Sequence, residues 1–249
     1  MVVVAHPDDE SVGCGALLQR AAEPRLVFCT DGAPRDGNFW RRFSSREEYR
    51  EVRKREAQAA ARIVGVKQID FLDTPDQELF RNLEGALAQL GAIAKRFKPD
   101  ALLTLAYEGG HPDHDACAFL VSLLAAQFGL PAWEMSLYHR AAGDRALQQF
   151  IAHSGSAASE QRTIDPTPDE VSRKRAMIEA YASQGDILHH FGAGKEVFRL
   201  QLAYDFTRPP HPGTLNYEEW RWPMTGREVS AAFAEMLSQR NSRARAQSE

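Results

Sequence analysis

Along the first 140 residues, short unbroken apolar runs alternate with longer stretches whose apolar positions recur every three or four places. Val2-Val3-Val4-Ala5 and Ala101 to Ala106 are of the first kind, and Arg25 to Thr30 and Gln68 to Leu72 are read as the second and third strands. β-Branched runs without polar alternation predict strands buried on both faces of a parallel sheet. Between them, helical spacing predicts helices over Gly13 to Ala22, from a Ser44 or Ser45 cap to about Ile63 with Gly65 as the stop, over Asn82 to Phe97, and over Ala116 to Phe128. Trp133 to His139 alternates weakly and is read as a fifth strand. Strands alternating with helices imply an α/β fold, a Rossmann-like, mainly parallel sheet flanked by helices. The second half is less regular: a helix over Val171 to Ser183, a strand over Glu196 to Leu202 and a terminal helix over Val229 to Gln239. One domain is expected over 1–249, with a core at 1–140, an irregular C-terminal extension at 141–239 and a polar tail at 240–249 that frays.

Composition narrows the functions. The chain has 249 residues, 43% hydrophobic and 26% charged, enough to bury a substantial core unaided. A net charge of −4 gives no field for polyanions, so nucleic acid is not expected as a partner. No apolar run approaches the roughly 20 residues that span a bilayer, and the first strand starts at Val2, which reads as a cytoplasmic protein. Cys14, Cys29 and Cys117 lie in apolar segments and are read as reduced core thiols.

The chemistry sits where two apolar runs end, at Ala5-His6-Pro7-Asp8-Asp9-Glu10 and at His111-Pro112-Asp113-His114-Asp115. Open parallel sheets bind ligands beyond the carboxyl ends of their strands, at the point where strand order reverses. If the first and fourth strands are neighbours there, three imidazoles and several carboxylates share one crevice. Catalytic zinc takes about three His or carboxylate ligands and keeps one position open, so a metal-dependent hydrolase is the leading reading. Asp8 then stands beside the reacting water without binding metal. The rival explanation is that Asp8, Asp9 and Glu10 complement a helix N-terminus, worth roughly 0.3–1 kcal/mol per group; it accounts for either motif alone and poorly for both. Cys14, between Gly13 and Gly15, is read as a packing residue, and His189 and His190 as exposed loop histidines. The loop from Pro34 to Phe43 should rim the crevice and offers Arg35, Arg41, Phe39 and Trp40 to a ligand, with packing of Phe39 and Trp40 onto the body as the equal alternative. Trp220-Arg221-Trp222-Pro223 is read as packing of the C-terminal segment.

The two motifs resemble the signature pair of the PIG-L/LmbE-like zinc-dependent N-deacetylases. Weaker similarity lies at Thr30-Asp31-Gly32, Arg55-Glu56-Ala57, Phe71-Leu72-Asp73 through Pro75-Asp76, and Lys174 through Gln184, so it spans about the first 185 residues. The resemblance implies one Zn2+ per chain, other divalent metals being alternatives, held by His6, Asp9 and His114. It makes Asp8 the general base and His111 the group that stabilises the oxyanion or protonates the leaving amine, with Asp113 orienting His111. Some family members place a tyrosine two residues before the first histidine of the second motif; here that position is Gly109, and Tyr107 lies two residues earlier. Tyr107 therefore joins Arg35 and Trp40 as a candidate substrate-binding residue. The implied activity is removal of an N-acetyl group from a small N-acetylglucosamine-type substrate. Two rivals stand: a zinc amidase for a non-sugar N-acyl or thiol-conjugate substrate, and a non-catalytic sugar- or nucleotide-binding module. The second is disfavoured because acidic residues occupy the place where a pyrophosphate would sit.

Overall fold

A computed structural model describes residues 1–141, 143–152 and 161–246. The chain opens with β1 (Val2–Val4), α1 (Asp9–Arg20), β2 (Arg25–Pro34), α2 (Arg46–Ile63), β3 (Gln68–Asp76), α3 (Leu83–Phe97), β4 (Leu102–Leu105), α4 (Pro112–Phe128) and β5 (Ala132–Met135). It continues with β6 (Tyr138–His139), β7 (Ala146–Leu147), β8 (Gln161–Ile164), α5 (Pro168–Glu179), α6 (Gly185–Leu188), β9 (Glu196–Leu200), α7 (Asn216–Glu219) and α8 (Gly226–Ala246).

Among the described residues one seven-stranded sheet runs in the order β3-β2-β1-β4-β5-β9-β8. The first five strands are parallel; β9 pairs antiparallel with both β5 and β8. β1 lies between β2 and β4, so chain order reverses there and both histidine motifs leave the sheet at neighbouring carboxyl ends. Every residue of β1, β2 and β4 is buried, as their unbroken apolar runs require, whereas the edge strand β3 is mostly half-exposed. Helices α1, α2 and α5 pack together, and α3, α4 and α8 form a second group.

Several elements differ from expectation for identifiable reasons. Helix α1 begins at Asp9 and is broken at Cys14, where φ is −144°. The amides of Ala16 and Leu17 turn instead to the Glu196 carboxylate, at 2.7 and 2.9 Å. Glu196 also takes the Lys174 ammonium at 2.7 Å, a buried pair that ties β9 and α5 to the break. A side chain at Gly13 would run into Met135 and one at Gly15 into Lys174, so both glycines permit close packing. Helix α4 starts at Pro112, four residues before the expected start. His111 is its N-cap and Pro112 its first residue, a favoured proline position. The expected fifth strand ends at Met135, after which Tyr138 and His139 pair with Leu147 and Ala146 in a separate ribbon. Helix α8 runs on through residues 240–246 of the expected frayed tail; residues 247–249 lie outside the described residues. The extension adds β8 and β9 to the sheet, and α8 stacks Phe233 on Phe119 of α4 at 4.5 Å.

Candidate metal centre

Local geometry aims the first motif. The Thr30 amide and hydroxyl both donate to Ala5 O, fixing the chain as it leaves β1. Asp8 then takes φ 126°, in a region costly to a residue with a side chain, on the order of 1–3 kcal/mol. Its amide donates to Glu10 Oε2 at 3.1 Å, and the buried Arg53 guanidinium donates to Pro7 O and to Asp8 Oδ2, the latter at 2.8 Å. Glu10 is held in turn by the hydroxyls of Ser11 and Tyr181, at 2.5 and 2.7 Å. In the second motif, the His111 Nδ1 atom accepts the Asp113 amide at 3.1 Å, closing the N-cap, and His114 lies in the first turn of α4.

Two sets of donor atoms converge, and both use His6. In the first, His6 Nδ1 is 3.4 Å from Asp9 Oδ2, and His114 Nε2 is 3.2 Å from Asp9 Oδ1. In the second, His6 Nε2 is 3.1 Å from Asp76 Oδ1 and 3.3 Å from Asp113 Oδ2, and His111 Nε2 is 3.4 Å from Asp76 Oδ1. Ligands about 2.0–2.1 Å from zinc stand roughly 3.3–3.4 Å apart at tetrahedral angles, and the separations in both sets lie near that spacing. His114 Nε2 is buried and has no hydrogen-bond partner among the described residues, as a ligand atom facing an ion would be. A neutral imidazole has one lone pair, so His6 can ligate through Nδ1 only while Nε2 carries a proton. That proton faces Asp113 and Asp76, the usual support of a metal-bound histidine. With His6 ligating through Nδ1, the second set would form the hydrogen-bonding shell of the first.

The carboxylates around His6 favour positive charge there. Burial disfavours charge on His6, but Asp76 and Asp9 outweigh it and hold the imidazole pKa well above its ordinary value. Burial likewise opposes charge on Asp9, yet His114 and His6 keep its carboxyl well below the usual range. The Asp8 carboxyl is pushed up to about 6, chiefly by burial, with Arg53 opposing. Burial, then the charge of His6, lowers the His111 pKa. With Nδ1 accepting an amide, neutral His111 carries its proton on Nε2, as a donor.

The structure thus brings together His6, Asp8, Asp9, His111, Asp113 and His114. The Asp113 carboxylate is engaged by the amides of Gln77 and Leu79, at 2.6 and 2.9 Å, and by His6, while its nearest approach to His111 is 3.9 Å from Nδ1. Asp76 is the carboxylate beside His111 Nε2. Sequence reasoning gave no role to Asp76 or Arg53; Pro75-Asp76 entered only as a weak similarity. The three candidate substrate residues are engaged with other partners. Tyr107 is buried against Tyr204 and Phe206 and donates its hydroxyl to Arg208 O at 2.6 Å. Arg35 is exposed and paired with Glu78, and Trp40 donates its indole N–H to Pro34 O. Trp222, read as packing, does pack against the core and also sets its ring edge-on to His111 at 4.9 Å. Cys14 belongs to neither donor set, and His189 and His190 are exposed.

Fold and site together describe an α/β fold with a His/Asp cluster that could hold a metal ion at the switch point of its sheet. Residues 1–125 match the PIG-L family, described as GlcNAc-PI de-N-acetylase, and the chain belongs to that family. It is 29% identical over 148 residues to a probable N-acetyl-alpha-D-glucosaminyl L-malate deacetylase 2 of Bacillus cereus, a match covering 57% of this chain and 66% of that protein. It is 30% identical over 146 residues to diacetylchitobiose deacetylase of Thermococcus kodakarensis, covering 55% and 52%. The matched region therefore spans less than two thirds of either relative's length. The structure of a deacetylase in the biosynthesis pathway of teicoplanin superposes with a TM-score of 0.63 at 17% identity, over 82% of this chain and 98% of that one, which shows the shared fold.

Proposed function

We propose that this chain is a zinc-dependent deacetylase that removes the N-acetyl group of a small N-acetylglucosamine-type substrate. The observation that carries the reading is the convergence of His6 Nδ1, Asp9 and His114 Nε2 next to a carboxylate, Asp8, that is not in the donor set. When bound there, zinc supplies a Lewis acid that acidifies water and polarises an amide carbonyl. Asp8, oriented by Arg53, accepts the proton of the attacking water. The His111 Nε2–H, beside Asp76, donates a hydrogen bond to the developing oxyanion, and the proton collected by Asp8 passes to the departing amine. The acetylated sugar as substrate is supported by the family and by its relatives. No helix among the described residues is long and apolar enough to cross a membrane, and all three cysteines are buried and free, which suits a reducing compartment such as the cytoplasm.

Zinc-loaded protein should release acetate and free amine from at least one N-acetylglucosamine compound, and chelation should abolish it. A panel of N-acetyl sugars, N-acetyl amino acids and phosphodiesters, read by amine and phosphate release, tests this. Turnover of phosphodiesters alone contradicts the reaction class. Turnover of non-sugar amides alone keeps the chemistry and replaces the sugar.

A further inference from the structure

The turn that carries His111 is tied down by a carboxyl group that the proposed mechanism does not use. Glu108 stands between β4 and α4, three residues before His111, and is 3% exposed. Its Oε1 atom accepts the Ile151 amide at 2.7 Å, and its carboxyl group also meets the Ser136 hydroxyl. Ser136 follows β5 directly, and its hydroxyl donates to Gln149 O at 2.6 Å. Glu108 thus clasps the His111 turn to the two chain segments that flank the ribbon of β6 and β7. That ribbon packs on the second motif. Tyr138 O stands where a side chain on Gly110 would fall, and the Tyr138 ring lies 5.2 Å from His114.

Counting hydrogens fixes the protonation state of the clasp. A hydroxyl carries one hydrogen and a carbonyl oxygen none, so at 2.6 Å the Ser136 hydrogen lies toward Gln149 O. Ser136 then meets Glu108 only as an acceptor. A carboxylate has no hydrogen to give, whereas a neutral carboxylic acid donates one and still accepts the Ile151 amide. The surroundings suit the neutral acid. Glu134 of β5, a buried carboxyl interacting with Glu108, takes Arg199 Nε and the Tyr204 hydroxyl, both at 2.6 Å. Glu134 Oε2 has no partner among the described residues, and Asp115 of α4 is a further buried carboxyl that interacts with Glu108. Arg199 of β9 is the cation facing Glu108, and Glu134 already engages it. Burial, more than any neighbouring charge or hydrogen bond, pushes the Glu108 carboxyl up to about 7.

We infer that Glu108 is a positioning residue: as a neutral acid it holds the His111 turn to the β6–β7 ribbon, and on ionising it releases that hold. The consequence for turnover rests on the deacetylase reading, which gives His111 its role. Because the folded pKa lies above the unfolded value of roughly 4.3, the clasp is complete below about pH 4 and is lost as pH rises through about 7.

The test follows amine release from N-acetylglucosamine by the zinc-loaded protein against pH, beside Glu108→Gln and Ser136→Ala. The amide of Glu108→Gln donates to Ser136 and accepts from Ile151 at every pH. In the parent, kcat should fall about tenfold from about pH 6 to about pH 8.5, and in Glu108→Gln that fall should be absent. Ser136→Ala removes the acceptor of the acid's hydrogen, so the fall should move to lower pH by roughly 0.5–1 unit. Infrared difference spectra need neither zinc nor turnover. The parent, against Glu108→Gln, should show the carbonyl stretch of a neutral carboxylic acid at about pH 6 and lose it by about pH 8.5. Circular dichroism verifies that the variants fold; if Glu108→Gln does not, the direction of the Ser136→Ala shift decides alone.

A fall of equal size in the parent and Glu108→Gln, or none in the parent, overturns the positioning role and leaves the deacetylase reading standing. A shift to higher pH in Ser136→Ala, or a parent without the neutral-acid band, means an ionised Glu108 accepting from Ser136 and overturns the clasp. A band that titrates with no amine release at any pH supports the clasp and contradicts the deacetylase reading.

Discussion

Asp8 holds a position that tolerates little change. Its backbone is strained, and its carboxylate is fixed by a buried arginine that also holds the preceding carbonyl. Asp8→Asn keeps the shape and removes the proton acceptor, so it should retain metal and lose about 10²–10⁴-fold in turnover. Metal loss in that variant, measured by elemental analysis, would make Asp8 a ligand instead. Arg53→Lys preserves the charge but not the forked geometry that spans Pro7 O and Asp8, and should lower kcat roughly 10–100-fold with metal content intact. The histidines of the second motif should separate by role. His114→Ala is expected to lose metal, whereas His111→Ala keeps it and chiefly lowers kcat, because a transition-state donor adds little to ground-state binding. Exchange of those two phenotypes would reverse the assignment.

At the scale of elements, the turn entering α4 governs the second motif. Asp115, fully buried, accepts the Gly109 amide at 3.0 Å and the Tyr217 hydroxyl at 3.2 Å, holding Gly109 at φ +69°. A side chain on Gly110 would come within 2.2 Å of Tyr138 O, so Gly110→Ala should cost about 1–3 kcal/mol in denaturant unfolding and disturb His111. Burial pushes the Asp115 carboxyl up to about 8. Because the folded value lies above the unfolded one, near 4, the group's contribution to stability is complete below about pH 4 and declines as pH rises through about 8. Asp115→Asn should flatten that part of the pH–stability profile; an unchanged slope would show that Asp115 is ionised in the fold.

These elements also show what the sequence made legible. Unbroken apolar runs located β1, β2 and β4 because burial on both faces leaves no polar alternation. The start of α4 was missed because its first turn is polar, although a proline directly after a possible N-cap was the available signal. Asp76 could not be singled out, since it acts only because β3 runs four residues past its apolar stretch. Arg53 looked like one of many basic residues on α2, and only the fold buries it against Asp8.

Across the whole molecule, metal binding at the proposed site would be linked to stability. The three proposed ligands come from α1, α4 and the end of β1, so an ion joins elements on both sides of the switch point. At about 100 times its dissociation constant, a ligand specific to the folded state adds roughly 2.7 kcal/mol. For a chain of this length that corresponds to a rise of about 5–10 °C in Tm, reversed by chelation and absent in His114→Ala. The most direct test of the centre is an anomalous-difference map at the zinc absorption edge from crystals of the zinc-loaded protein. A single peak bounded by His6 Nδ1, Asp9 and His114 Nε2, with Asp8 outside the coordination shell, is expected. A peak bounded by His6 Nε2, Asp76, His111 and Asp113, or none at either set, would contradict it.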